Sequence, residues 1–323
     1  MQNQGWTSGR AHAAGSSRNY KLWTPGSVDR AQPAPLLMLL HGCTHNAEAM
    51  AEISGMNEVA EANRFFVLYP EQRRRANLMK CWNWFNPRHQ SRDAGEPAIL
   101  AAMVEQVCSE RNVDRDRIYV AGISAGGAMA VIAAANYPDI FSGVGVCCGA
   151  EFKAATTISA GLAVMKNGGP DPAHQGESAF QAMKKGLDRK RVLRMPVIVF
   201  QGTADTRVNP VNAGQIIAQW NKTNSRLADA NAENGFALSE RSIAGQVLGG
   251  HAYTRSVYTD QIGRPLMEKW MVEGLGHAWS GSAKAHAYGD PKGPNASAEI
   301  WRFFLAASNP KLDDRNLRQQ KTP

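Results

Sequence analysis

Cysteine is scarce in this sequence, with five in 323 residues. That is too few for a small domain held together by disulfides. No apolar run approaches the ~18 residues that a membrane-spanning helix needs, so no membrane partner is expected. Residues 1–18 are polar and lack the apolar centre of a secretory signal. They read as a flexible segment, in a chain that is either cytoplasmic or has lost its signal. No Cys/His spacing matches a zinc site. No glycine-rich phosphate loop of the usual spacing occurs. Neither a metal nor a cofactor is therefore expected. There is no internal repeat, and no stretch rich enough in Pro, Gly or Ser to separate two domains.

Hydrophobic residues make up 43% and charged residues 20%, the balance of a globular chain rather than a disordered one. The net charge is 36 − 28 = +8. The densest basic clusters are Arg73-Arg74-Arg75 and Lys184-Lys185 with Lys190-Arg191. Neither is interleaved with aromatics, so both read as solvated surface and no nucleic-acid partner is expected.

Five short apolar runs read as buried strands: Leu36–Leu40, Phe65–Leu68, Ile118–Ala121, Val144–Val146 and Val197–Phe200. Continuous rather than alternating hydrophobicity suits a parallel sheet covered on both faces. Between and after them lie helical patterns at Glu96–Glu110, Ala125–Asn136, Val211–Trp220 and Ala298–Ala306. Strand and helix alternating in this way predict a doubly wound α/β sheet. Residues 19–308 read as one catalytic domain, with a polar insertion near 221–250 carrying a short hairpin. Residues 309–323 read as a charged tail.

The sharpest motif is Gly122-Ile123-Ser124-Ala125-Gly126, after the run Ile118–Ala121 and before an Ala-rich helix. Strand, sharp turn and helix are the context that a nucleophile elbow requires. The glycines allow close backbone approach, and the Ser stands at a helix N-terminus that favours developing negative charge. Such a serine needs a base and an orienting acid. Asp205 lies in the loop leaving the late strand at Val197–Phe200, at the edge where these sheets place their ligands. Asp139 and Asp171 compete for the role, but from the wrong places. His277, in Glu273-Gly274-Leu275-Gly276-His277-Ala278-Trp279, comes after Asp205 and before the last helix; His286 and His251 are its rivals. His41-Gly42-Cys43 ends an early strand, where glycine lets a backbone N–H face the site. The N–H groups of Cys43 and Ala125 are the candidate oxyanion hole.

Four segments together carry a family resemblance. They are Leu39-Leu40-His41-Gly42-Cys43-Thr44, Cys81-Trp82-Asn83-Trp84-Phe85, Ala121 to Met129, and Asp290-Pro291-Lys292-Gly293-Pro294. From about Asn19 to Leu305 the chain resembles the poly(3-hydroxybutyrate) depolymerase family of esterases. The resemblance implies an α/β-hydrolase fold, no cofactor, and a triad of Ser124, Asp205 and His277. It suggests a disulfide between Cys43 and Cys81, and with it an extracellular or periplasmic location. The implied substrates are 3-hydroxybutyrate polyesters or oligomers. Feruloyl or acetylxylan esters and aromatic polyesters are the alternatives, with a non-catalytic polymer binder as a reading from another class. Oligomeric state is left open. Many such relatives read Ser-Gly where this chain has Val146-Cys147-Cys148-Gly149. Polymer-degrading members often carry a separate polymer-binding domain, which is not seen here, so crystalline polymer is expected to be a poor substrate.

Of the remaining cysteines, Cys147 and Cys148 are adjacent in a strand and point to opposite faces. Cys108 reads as a helix-face core residue. Trp82, beside the suggested bridge, is expected to line the acyl pocket. Trp279, two residues after His277, is expected to wall the cleft.

Overall fold

The computed structural model describes residues 5–29, 31–186, 194–230 and 236–308. Its centre is a ten-stranded sheet. The parallel part runs β4 (Phe66–Glu71), β3 (Ala34–Leu40), β5 (Val113–Ile123), β6 (Val144–Cys147), β7 (Val197–Gly202) and β10 (Pro265–Val272). On one side β2 (Ser16–Thr24) and β1 (Gly5–Ala13) extend it antiparallel. On the other, β9 (Ala252–Thr259) and β8 (Ser239–Gln246) do the same.

Helices cover both faces, which is why the central strands are continuously apolar. All seven residues of β3 are buried. Leu36, Met38 and Leu40 share one cluster with α3 (Gly95–Glu110) and α4 (Ala125–Asn136). Leu37 and Leu39 share the other with α1 (Ala47–Ser54), α2 (Met56–Asn63) and α8 (Ala296–Ser308). Every residue of α4 is buried. Small side chains let it lie close to the sheet, which explains its run of alanines. On the opposite face Phe304 of α8 stacks on Tyr119 of β5 at 4.4 Å between ring centroids.

Two boundary expectations are corrected. Residues 5–18 are not a flexible segment: Gly5–Ala13 pairs with Ser16–Thr24 as an edge hairpin. The more buried positions of β1 are Gly5, Thr7, Gly9, Ala11 and Ala13, too weakly apolar to stand out from their neighbours, so the strand is silent in a hydrophobicity reading. The polar stretch near 221–250 is not a separate insertion either. Its first part completes α7 (Val211–Ala230), and its last part is β8, paired with β9 on the main sheet. A hairpin begins there, but its second strand, β9, lies beyond residue 250. Lys190-Arg191, the four N-terminal residues and the tail at 309–323 lie outside the described residues.

One buried acid in this scaffold carries a pH prediction. Glu151 follows β6 and is 1% exposed. Neither carboxylate oxygen has a hydrogen-bond donor among the described residues. Burial, with Asp171 nearby, pushes its carboxyl from the ordinary 4.5 up to about 8. Between those values the folded chain keeps a proton that the unfolded chain releases. Stability is therefore present below 4.5, falls as pH rises through that window, and levels off above about 8. Glu151→Gln is expected to flatten the fall and to stabilise the protein at pH 8 by a few kcal/mol, at about 1.4 kcal/mol per pKa unit. Denaturant unfolding at several pH values measures it; parallel curves for the two proteins would contradict it.

Candidate active site

Strand β5 runs into α4 through Ser124, whose φ of 58° and ψ of −123° lie outside the regions ordinary residues occupy. Strain of this kind persists only where the surroundings over-determine it. Here a Cβ on Gly122 would strike the Gly126 backbone, and one on Gly126 would strike the carbonyls of Leu40 and His41. The Ser124 N–H donates to the Cys147 carbonyl at 2.8 Å, tying the elbow to β6. Ala125, the first residue of α4, has no acceptor for its N–H among the described residues.

The loop after β3 reaches the same place. A Cβ built on Gly42 would sit 3.6 Å from the Cβ of Ser124. His41 is fully buried, and its Nε2 accepts from the Gln72 N–H at 3.1 Å. Nδ1 must then carry the proton, which it donates to the Gly42 carbonyl at 2.6 Å. Burial lowers the ring to about 4, so it is neutral at ordinary pH. The Gly42 carbonyl and the Cys43 N–H belong to one planar peptide and point opposite ways. Holding the carbonyl inward therefore turns the Cys43 N–H outward. That N–H too lacks an acceptor among the described residues. Cys43 is bridged to Cys81 by a disulfide, which ties this loop to the one bearing Trp84.

The second half of the site comes from the ends of β7 and β10. Asp205 is buried. Its Oδ1 accepts from the N–H groups of Arg207 at 2.9 Å and Val208 at 2.8 Å. Its Oδ2 accepts from Gln201 Nε2 at 3.1 Å and pairs with His277 Nδ1 at 2.8 Å. Burial alone would raise this carboxyl. The hydrogen bonds from His277, Val208 and Arg207 outweigh it and hold the acid below the usual carboxylate range. Cys148 links the two halves. It follows Cys147, the acceptor of the Ser124 N–H, and its Sγ lies within 4.8 Å of an Asp205 oxygen and a His277 ring nitrogen.

The rivals have other partners. His251 pairs with Asp290 at 3.0 Å, and His286 stands over His45 with ring centroids 6.0 Å apart. Asp139 binds Arg92, and Asp171 accepts from the N–H of Ala173 in the first turn of α6 (Pro172–Gly186).

Ser124 opens into a cavity of about 330 Å³. Its walls are Cys43, Met79, Trp84, Phe85, Ala125, Cys148 and Val208, with Ile158, Leu162 and Met165 from α5 (Ile158–Asn167). The two tryptophans assigned to substrate are not among them. Trp82 is fully buried behind the bridge, beside the His41 ring at 5.6 Å. Trp279 is fully buried on the other side of the sheet, donating from Nε1 to Ser297 Oγ at 3.1 Å. Side chains with no accessible surface cannot touch a substrate. Trp84 and Phe85 supply the aromatic wall instead. The sequence signal for them is their place in the same tryptophan-rich segment. Ile158, Leu162 and Met165 recur at helical spacing and could have been found as one face of a helix.

The fold is that of the α/β-hydrolases. The Esterase PHB depolymerase family model matches residues 18–240, and the chain belongs to that family. It is 31% identical to a poly(3-hydroxyalkanoate) depolymerase C of Paucimonas lemoignei over 76% of this chain and 55% of that one. It is 27% identical to a feruloyl esterase B of Neurospora crassa over 80% of this chain and 83% of that one. The chain thus spans little more than half of the depolymerase. An acetyl xylan esterase structure from Aspergillus awamori superposes with a TM-score of 0.70 at 17% identity, covering 93% of this chain and 100% of that one. That likeness speaks for the fold. No described helix is long and apolar enough to cross a membrane.

Proposed function

We propose that residues 19–308 form a serine esterase that cleaves 3-hydroxybutyrate polyester or its oligomers through an acyl-enzyme on Ser124. His277 takes the Ser124 hydroxyl proton as Oγ attacks the ester carbonyl. Asp205, acidic and fully hydrogen-bonded, keeps the His277 proton on Nδ1, so the other ring nitrogen is free to act as base. The carbonyl oxygen, now negative, is held by the N–H groups of Cys43 and Ala125. His277 then protonates the departing alcohol, and water releases the acid by the same steps in reverse.

The observation that carries the substrate class is the lining of the cavity at Ser124. Met79, Trp84, Phe85, Ile158, Leu162 and Met165 make it apolar, and Met79, Ile158 and Leu162 continue onto the exposed rim. An aliphatic polyester chain buries apolar surface there at about 25 cal/mol per Å². A sugar chain would find only the Asn77 and Asn212 side chains beside Ser124 to pair its hydroxyls and would leave most of them unpaired. The aromatic pair Trp84 and Phe85 also suits a flat acyl group, which favours a feruloyl ester or an aromatic polyester as the second reading. The Cys43–Cys81 bridge supports action in an oxidising compartment, outside the cell or in a periplasm.

The test is a panel on wild type and Ser124→Ala. It holds amorphous poly(3-hydroxybutyrate), its trimer ester, methyl ferulate, acetylated xylan and a short-chain nitrophenyl ester. Release of 3-hydroxybutyrate by wild type alone is the expected result. Cleavage of ferulate or xylan ester only would keep the serine chemistry and replace the substrate.

His41 is a positioning residue in this reading. His41→Phe removes the donor that holds the Gly42 carbonyl, and kcat is expected to fall toward the ~10²–10³-fold seen for loss of one oxyanion donor. His41→Asn offers an amide donor near the same point and is expected to recover part of that loss. KM on the nitrophenyl ester should change little in either. A loss confined to KM would contradict the role.

A further inference from the structure

Cys148 is the one free cysteine among the described residues that lines the catalytic cavity. Cys147 belongs to the cluster on the opposite face of the sheet, and Cys108 lies in α3. The backbone of Cys148 is held in the left-handed region, at φ 50°, by its N–H bond to the Phe200 carbonyl at 3.0 Å. That conformation aims the thiol at the acid and base. One ligand atom from each of Cys148, Asp205 and His277 lies within 4.8 Å of the others.

We propose that Cys148, Asp205 and His277 form a binding site for a thiophilic divalent cation, zinc or cadmium, whose occupancy switches hydrolysis off. One sulfur, one imidazole nitrogen and one carboxylate oxygen are a ligand set that zinc takes readily. Its bonds of about 2.3 Å to sulfur and about 2.0–2.2 Å to nitrogen and oxygen place tetrahedral ligands roughly 3.3–3.6 Å apart. The three atoms need to move by only about an ångström to reach that spacing. Asp205 Oδ1 can keep both backbone N–H bonds while Oδ2 exchanges its histidine partner for the metal. A fourth ligand, water, would reach the metal from the cavity that Cys148 lines. As the sulfur–metal bond forms, the thiol proton leaves to solvent, and no change of oxidation state is involved. The thiolate selects for soft ions, so magnesium and calcium are excluded by the same chemistry.

A metal here sequesters the imidazole that must receive the Ser124 proton. The inhibitory consequence therefore rests on the function proposed above, whereas the binding does not. The two are separated by titrating metal-free wild type and Cys148→Ser with cadmium. Thiolate-to-cadmium absorbance in the ultraviolet and nitrophenyl ester hydrolysis are followed in the same samples, without reductant so that the bridge stays intact. In wild type the expected result is a band saturating at one equivalent, with a parallel loss of hydrolysis that EDTA reverses. In Cys148→Ser the band should vanish, and inhibition should need at least about tenfold more cadmium. No band in wild type, the same band in Cys148→Ser, or inhibition of wild type that does not track its band would each overturn the site. A band with hydrolysis unaffected would leave the metal site standing and remove His277 as the base. If Cys148→Ser does not fold, cobalt bound to wild type decides. Sulfur charge-transfer absorption together with tetrahedral ligand-field bands supports the site, and their absence overturns it.

Discussion

Ser124→Ala is expected to lower kcat for every ester the protein cleaves by roughly 10⁴–10⁶-fold, with the fold and KM preserved. The magnitude is that of losing a nucleophile whose triad works as a unit. Alanine fits the elbow as poorly as serine does, so the strained backbone at φ 58° remains and the loss is chemical rather than structural. The cavity and both free N–H groups also remain, so substrate should still bind. Steady-state kinetics beside a thermal melt checks this. A variant keeping a tenth of the wild-type rate would end the acyl-enzyme reading, because no other serine among the described residues has a positive φ.

Glu96→Ala is expected to have the largest effect on stability, about 3–5 kcal/mol, the usual cost of stranding one member of a buried ion pair. Glu96 is fully buried in the first turn of α3. Its carboxylate accepts from Arg18 Nη2 at 3.1 Å, from the Asn83 N–H and side-chain amide at 2.7 Å each, and from Gln72 Nε2. Arg18 is 3% exposed and would be left charged without its partner. The damage should reach the site, because Gln72 also donates to His41 and to the Cys81 carbonyl. Loss of activity below the unfolding transition is therefore expected alongside the lower midpoint. Glu105→Ala, which breaks the exposed pair with Arg115, should cost no more than about 1 kcal/mol. Equal midpoints for the two variants would show that the buried network does not hold the fold.

The pairing of Arg18 with Glu96 shows where reading by sequence stops. Arg18 sits in a polar segment and Glu96 at the start of a helix, and nothing local says that either is buried. Only the arrival of β2 beside α3 takes both from water. The tryptophans fail for a related reason. Composition marks Cys81–Phe85 as an aromatic segment and the family resemblance brings it to the site, but which ring meets the cavity depends on the turn after the bridge. That turn buries Trp82 behind His41 and presents Trp84.

The elbow, by contrast, was legible because its requirements are local. Close backbone contact demands glycine at 122 and 126, and a buried central strand and helix demand unbroken apolar and Ala-rich runs on either side. Five of the six parallel strands were legible for the same reason, since burial on both faces writes itself as continuous hydrophobicity; β10, whose run is broken by Glu268 and Lys269, was not, nor was the order of the strands in the sheet. The edge strands, the buried ion pair, the orientation of the Cys43 peptide and the meeting of Cys148 with Asp205 and His277 were not. Each is a contact between segments far apart in the chain, decided by how the sheet brings their ends together rather than by any preference of the residues themselves.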